Sequence, residues 1–197
     1  MILAFGILIM HDVFFIGCTH FGHEKLYSFS RKDGTKVRPF KTAEEGDAEM
    51  VKRWNATVSK DDKVYVLGDV AFTNKSLKIL GELKGRKILI KGNHDILKPG
   101  EYLKYFKDIR AYHKMEREVL SHIPIHPGSL FRRKSDEYWL NIHAHLHNEA
   151  VMSVDQPDAD DVFRACQTED PRYFSVCVER INYTPISLAE IRKRVWG

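Results

Sequence analysis

The chain has 197 residues, of which 43% are hydrophobic and 29% charged, and its formal net charge is +4. These values describe an ordinary soluble globular protein, long enough to bury a core but short enough for one domain. The mild positive charge favours anionic ligands weakly and does not by itself indicate a nucleic-acid-binding surface.

Three cysteines, Cys18, Cys166 and Cys177, occur at irregular spacing. An odd number at such spacing argues against a disulfide framework and indicates a reducing compartment, so we expect a cytoplasmic protein. The apolar start of the chain is only about half the length of a membrane span and lacks the features of a signal peptide. We expect residues 1–9 to be an extension: an edge strand, a tail, or sequence upstream of a start at Met10.

Apolar runs along the chain predict buried strands at residues 13–16, 64–67, 87–90, 119–120, 138–142 and 173–178. Helical spacing predicts helices at residues 43–59, 75–83, 99–106 and 188–196, and two of them follow capping boxes that begin at Thr42 and Ser187. Residues 28–40 are polar and interrupted by glycine and proline, which predicts a surface loop. Without a repeat or a linker, residues 1–197 form a single predicted domain.

Five of the predicted strands end in loops that carry Asp, Asn, His or Cys. Ligands of α/β sheets gather at the carboxyl ends of strands, so these loops are expected to converge on one site. Eight of the ten histidines lie in these loops, beside Asp69, Asn93 and Asp95. Such clustering is not expected of independent surface or core histidines.

Imidazole, carboxylate and carboxamide ligands suit borderline divalent ions such as Mn²⁺, Fe²⁺, Zn²⁺, Co²⁺ or Ni²⁺. The ligands are too many for one tetrahedral ion and are about right for two ions that share a bridging ligand. If the segment from His145 to His147 is extended, both of its imidazoles lie on the same side and can reach neighbouring ions.

These residues resemble the motifs of the calcineurin-like metallophosphoesterase superfamily, which are D-x-H, G-D, G-N-H-[DE], a lone H and G-H-x-H. Here they read CTH at residues 18–20, GD at 68–69, GNHD at 92–95, His122, and AHLH at 144–147. The segment at residues 177–188 is also similar to the end of small bacterial and phage members. The resemblance implies an α/β fold in which helices flank a two-sheet β-sandwich.

Carried over by position, the resemblance implies two divalent metal ions, each held by three residues. The first ion would be held by Cys18, His20 and His147; the second by Asn93, His122 and His145; and Asp69 would bridge them. His94 matches the residue that contacts the substrate phosphate and protonates the leaving group, and Asp95 would orient it. Asn93, His23 and His126 are further candidates for substrate contact, although both histidines fit solvent-facing loop positions equally well. The basic run that begins at Phe131 offers charge for phosphate capture, but its pattern is more typical of a solvated loop.

Two residues depart from the family pattern. Ala144 replaces the glycine of G-H-x-H, and its methyl group is acceptable if the backbone there is not left-handed. Cys18 replaces the aspartate of D-x-H. As a thiolate it would shift the first site towards Zn²⁺ or Fe²⁺; as a small buried hydrophobe it would leave that site weak or lost.

The sequence therefore predicts a dinuclear-metal hydrolase that acts on a phosphodiester or phosphomonoester, of a small or nucleotide-like substrate. Its partner is the phosphate ester, with no membrane and no stable nucleic-acid complex. One alternative is a DNA or RNA nuclease of the same superfamily. Another is a degenerate binding protein in which Cys18 has cost the site its activity.

Overall fold

The computed structural model describes residues 11–31, 33–131, 139–154 and 167–197. Expectations about residues 1–9, Cys166, the start of a strand at Tyr138 and the basic residues after Phe131 lie outside these ranges. None of the helices within the described ranges has an apolar stretch sufficient to span a bilayer.

The larger sheet has five strands, in the order β11-β1-β2-β3-β4. Their bounds are β1 Val13–Ile16, β2 Lys63–Val66, β3 Arg86–Ile90, β4 Asp108–Arg110 and β11 Ile186–Ser187. Strands β1 to β4 are parallel, and β11 closes the edge in the antiparallel direction. Parallel neighbours need crossover connections, and helices lie in the crossovers between β1 and β3. This arrangement brings the carboxyl ends of β1, β2 and β3 to one edge.

The second sheet has four strands, in the order β10-β7-β6-β5, and packs its apolar side chains into the same core. The bounds are β5 Tyr112–Lys114, β6 Glu118–Ser121, β7 Leu140–His143 and β10 Tyr173–Ser175. A separate two-stranded ribbon pairs β8 Met152–Val154 with β9 Gln167–Glu169. The predicted α/β fold, with two main sheets flanked by helices, is confirmed.

The five α-helices of the described ranges are α1 Glu24–Ser28, α2 Ala43–Thr57, α3 Asn74–Leu77, α4 Pro99–Tyr102 and α5 Leu188–Trp196. Both predicted N-caps form: Thr42 accepts from the Glu45 amide, and Ser187 from the Glu190 amide. The helix expected over residues 75–83 instead tightens into a 3-10 turn, Lys78–Gly81, and the helix expected over residues 99–106 ends early. Helix α1 was not predicted.

The segment at residues 28–40 corrects the prediction of a surface loop. Its first part is exposed, but Val37, Arg38 and Phe40 turn inward, and the Arg38 side chain is completely buried. A buried guanidinium needs acceptors on every side, and these are supplied by residues near the candidate site. Polarity in the sequence therefore did not mean exposure here.

Candidate metal centre

The predicted ligands lie in the loops that follow β1, β2, β3, β6 and β7, and the backbone of these loops is unusual. Seven non-glycine residues in the described ranges have positive φ, and five of them are predicted metal ligands: Cys18, His20, Asp69, His145 and His147. Left-handed backbone is costly for such residues and is concentrated at functional sites. It also shows that residues 145–147 form a turn rather than the extended segment expected.

Glycines allow these loops to approach closely. A Cβ atom on Gly68 would lie 2.6 Å from both the nitrogen and the Cα of Gly92. A Cβ atom on Gly92 would lie 2.3 Å from Oδ1 of Asp69. The glycines of the GD and GNHD motifs therefore leave room for Asp69 between two strand ends.

The first ligand group consists of Cys18, His20 and His147, and one donor atom from each lies within 4.8 Å of the others. Both ring nitrogens of the buried His20 lack a hydrogen-bond partner in the described structure. Burial lowers the pKa of His20 to about 3, so its imidazole is neutral at physiological pH. An unpartnered neutral imidazole among such donors fits a divalent cation.

Asp69 lies between the two predicted sites. Its Oδ2 atom is 3.7 Å from Nε2 of His20 and 3.3 Å from Nε2 of His122. Burial acts to raise the pKa of Asp69, but the hydrogen bond and charge of His122 outweigh it, so the pKa lies below its usual value. Cys18, Asp69 and His122 also place donor atoms within 4.8 Å of one another. An ionised carboxylate at this position can bridge two cations.

The second ligand group consists of Asn93, His122 and His145. Nε2 of His122 is 3.0 Å from Oδ1 of Asn93 and 3.2 Å from Nδ1 of His145. The other ring nitrogen of His122 donates to the Leu67 carbonyl at 2.7 Å. A carbonyl can only accept, so Nδ1 carries a proton. Once the Nε2 proton that interacts with Asp69 is released, this nitrogen can bind a metal.

His94 lies beside the first ligand group. Its exposed ring contacts the rings of His20 and Phe72, with centroids 5.8 and 5.2 Å away, and its amide donates to Oδ1 of Asp69. The ring of His23 also contacts Phe72, with centroids 4.7 Å apart. Phe72 therefore contacts three histidines. It was not predicted as a site residue, and its position shortly after the GD motif is the only signal in the sequence that could have indicated it.

Asp95 does not orient His94, which corrects the expectation from the sequence. Its two carboxylate oxygens accept from the backbone amides of Asp69, Val70 and Gly92, at distances of 2.8 to 2.9 Å. The buried carboxylate therefore ties the loop after β2 to the loop after β3. Asp95 is a positioning residue for Asp69.

His126 caps a 3-10 turn, where its Nδ1 accepts from the Gly128 amide.

Arg38 and Glu179 brace the first ligand group, and neither was predicted to do so. Glu179 is fully buried; its Oε1 accepts from Nε of Arg38 at 3.0 Å and from Nδ1 of His147 at 3.1 Å. Arg38 also donates to the carbonyls of Cys18 and Thr19. The carboxylate leaves Nε2 of His147 for a metal, as in the carboxylate–histidine pairs of metal sites.

The sequence matches the family model for calcineurin-like phosphoesterases over residues 11–183, which is most of its length. The chain belongs to this family. The predicted family is confirmed, and the converging loops described above are the part of the fold that carries its motifs. Membership supports a metal-dependent phosphoesterase in general.

Proteins similar to this chain occur in an archaeon, in a phage and in Aquifex aeolicus. An uncharacterized protein of Methanocaldococcus jannaschii is 28% identical over 191 residues, covering 94% of this chain and 92% of the relative. The gene 66 protein of Mycobacterium phage L5 is 27% identical and covers 73% of this chain and 81% of the relative. The crystal structure of a protein of unknown function from Aquifex aeolicus is 29% identical, with a TM-score of 0.60 over 94% of this chain and 100% of that chain.

The departure at Ala144 is accommodated by a nearby glycine. Ala144 is fully buried and is not among the residues of positive φ, so its methyl group strains no backbone. A Cβ atom on Gly17 would lie only 2.5 Å from the Cβ of Ala144. The methyl group therefore occupies space beside Gly17, immediately before Cys18.

The departure at Cys18 puts a thiol at the centre of the site. Its sulfur accepts from the His145 amide at 3.1 Å, and its side chain belongs to both donor clusters. Burial raises the pKa of the Cys18 thiol, and the neighbouring Cys177, Asp69 and Glu179 raise it further. The thiol therefore needs a cation nearby to ionise, because the protein surroundings favour the neutral form.

Proposed function

We propose that this phosphoesterase uses two divalent ions to hydrolyse a phosphodiester or phosphomonoester of a small or nucleotide-like molecule. Cys18, His20 and His147 would hold the first ion, and Asn93, His122 and His145 the second. Asp69 would bridge them. The metal would be one of Mn²⁺, Fe²⁺, Zn²⁺, Co²⁺ and Ni²⁺. When bound, the ions supply positive charge to the phosphoryl group and make a water nucleophilic at neutral pH.

The buried His20 carries this proposal. Burial of two unpartnered ring nitrogens is costly in a metal-free protein, and the ring lies among thiol, imidazole and carboxylate donors. A structural histidine of the core would have a hydrogen-bond partner, as His143 has in the Ala144 carbonyl. The contrast between these two buried histidines supports a metal-binding role for His20.

The protein's own residues would position the substrate and move one proton. His94 is exposed above the first ligand group and can donate a proton to the departing oxygen of the ester. Phe72 supports its ring, and His23 and Asn93 would contact the phosphate or its substituent. Glu179 and the Leu67 carbonyl orient His147 and His122. We further propose a single domain and, because Cys18 and Cys177 are free thiols, a cytoplasmic location.

Metal analysis paired with an activity panel tests this function. The protein would be loaded with each candidate metal and assayed on generic monoesters, diesters, 2′,3′-cyclic nucleotides, and DNA and RNA. We expect close to two ions per chain and turnover of the small esters. Turnover confined to polynucleotides would instead identify a nuclease. At most one ion, with no turnover of any ester, would identify a binding protein.

A further inference from the structure

A cleft of about 650 Å³ opens beside the second ligand group, and Asn93 and His122 lie in its wall. A volume of this size is typical of sites for small organic ligands. If the two-metal function proposed above is correct, a phosphoryl group held at the metals would have its organic substituent at the mouth of this cleft. The walls of the cleft therefore bear on the substrate class.

The walls combine aromatic and aliphatic side chains. Tyr112 on the edge strand β5 is 60% exposed, and Trp139 and Ile123 also line the cleft. The Lys114 ammonium lies over one face of the Trp139 ring, 3.8 Å from its centre. Exposed aromatic rings of this kind stack on planar ligands, and the stacking does not depend on the identity of the base.

The part of the cleft wall formed by Ile123 and Ile125 is held by hydrogen bonds. The Ser121 hydroxyl donates to the Ile123 carbonyl at 2.7 Å. Ile125 is fixed from both sides, because its amide donates to Asn141 and its carbonyl accepts from the Tyr173 hydroxyl. The backbone that carries the half-exposed Ile123 is therefore already fixed. Ligand binding does not have to order it, so the cleft is largely preformed.

Charge distinguishes this cleft from a second cleft on the other side of the site. The residues described in the first include Lys91 and Lys114 and no carboxylate. The second, of about 730 Å³ beside His147, contains two carboxylates, Asp33 and Glu149, and one cation, Arg31. Phosphate esters are anions, so the first cleft is the better electrostatic match.

We propose that the cleft beside Asn93 binds the base of a nucleotide ester. Tyr112 and Trp139 contact the planar base, Ile123 covers its edge, and the two lysines compensate the charge of the phosphate. A nucleotide combines a flat aromatic ring with an adjacent anion, and this cleft presents the complementary pair of features within reach of the metal ligands.

The test measures binding of three phosphonates, which lack the ester bond and cannot be hydrolysed, to the metal-loaded protein by calorimetry. The probes are the phosphonate analogues of adenosine monophosphate and of ribose 5-phosphate, together with hexylphosphonate. We expect the adenosine analogue to bind at least about tenfold more tightly than the ribose analogue, the scale of one base stacked on an aromatic side chain. Tyr112→Ala and Trp139→Leu should each remove most of this preference.

Phe29→Ala is the matched control, because Phe29 is a 51% exposed aromatic residue that lines the cleft beside His147. It should leave the preference unchanged, and thermal unfolding should show that all three variants are folded. Loss of the preference in Phe29→Ala, no preference in the wild type, or equal tightening by hexylphosphonate would each overturn the proposal. Turnover of small esters without a base preference would leave the two-metal function intact. A base preference without any turnover would retain the cleft proposal and reject the phosphoesterase.

Discussion

The two halves of the proposed metal centre differ in how their ligands are held. The first ligand group is backed by a buried ion pair, in which Glu179 binds His147 and Arg38 fixes the carbonyls of Cys18 and Thr19. The second ligand group is held by one main-chain carbonyl and by contacts among its own members. It also exposes Asn93 at the cleft beside it, whereas Cys18 and His20 of the first group are buried.

This difference suggests a division of roles. Ligands with buried charged partners lose little conformational freedom when a metal binds, so the first half is suited to retaining its ion. Ligands exposed at a cleft are suited to contact with substrate, and Asn93 combines both positions. We therefore expect substitutions of the residues that brace the first ligand group to affect metal retention. Substitutions around the second ligand group should affect substrate binding.

The largest expected effect joins both halves. Asp69→Asn should abolish hydrolysis and lower metal content, because a neutral amide is a poor bridge between two dications. Metal analysis and an ester assay would measure this. Asp62→Asn changes another buried aspartate, which accepts amides at the start of β2, and should keep both ions. Near wild-type turnover of Asp69→Asn with both ions retained would reject the bridge.

His94→Ala should separate chemistry from metal binding. It should lower kcat by about 10²–10⁴ with metal content unchanged, which is the usual scale for a lost general acid. The loss should be smaller for nitrophenyl esters than for alkyl esters, since good leaving groups need less protonation. Equal losses for both esters would show that His94 is not the acid. His126→Ala, at the capping histidine, should have little effect on either substrate.

Glu179→Gln tests the bracing of the first half. Loss of the carboxylate behind His147 should weaken metal affinity at that site by about 10–100-fold and leave the second site unchanged. Chelator competition would resolve the two affinities. Glu190→Gln, in an exposed ion pair with Arg194, is the control.

The Glu179 variant leaves Arg38 buried without its carboxylate, which is destabilising in itself. The double variant Arg38→Met with Glu179→Gln removes that charge and should recover stability but not metal affinity. Recovery of both would mean that Glu179 acts only through folding, and the distinction between the two halves would then lose its basis.

Cys18 offers a smaller change in the same half. Cys18→Asp restores the ligand of the family pattern and should retain or raise activity with Mn²⁺ while weakening the preference for Zn²⁺ or Fe²⁺. Cys18→Ser should lower occupancy of the first site only.

Alkylation provides an independent readout for Cys18. The thiol should resist alkylation in the metal-loaded protein and react after chelation, with Cys166→Ser and Cys177→Ser used to assign the labelled residue. Equal labelling of both forms, together with unchanged metal affinity in Cys18→Ser, would make the cysteine a bystander. The first ion would then depend on His20, His147 and Asp69.

The smallest effect on the metal centre is expected at Asp47, where the change concerns stability alone. Asp47 accepts from the Gly22 amide beside the first half, and burial raises its pKa to about 6. Between about pH 4 and 6 the folded protein keeps a proton on Asp47 that the unfolded chain has released. The stability that this protonated carboxyl contributes is therefore full below that window and lost above it. Denaturation of metal-free protein should show the wild type losing up to about 3 kcal/mol relative to Asp47→Asn as the pH rises. Parallel profiles would contradict this.

Much of the fold and many of the site positions followed from local patterns. Apolar runs located the strands that carry motifs, because a strand buried on both faces must be apolar throughout. The short strands β4 and β5 were missed, because polar side chains such as Asp108 and His113 hide them and only pairing with a neighbour stabilises them. The helix expected after Lys75 was too long, because its end tightens into the 3-10 turn that finishes at Gly81.

The sequence by itself determined the family, the fold class and the order of the motifs, because strand burial and ligand chemistry are properties of short segments. Only the tertiary structure decided which buried charges meet. Arg38 and Glu179 are 141 residues apart, and Asp95 binds main-chain amides rather than the neighbouring His94. A buried charge takes whichever partner the packing brings within hydrogen-bond distance, and no local spacing records that choice.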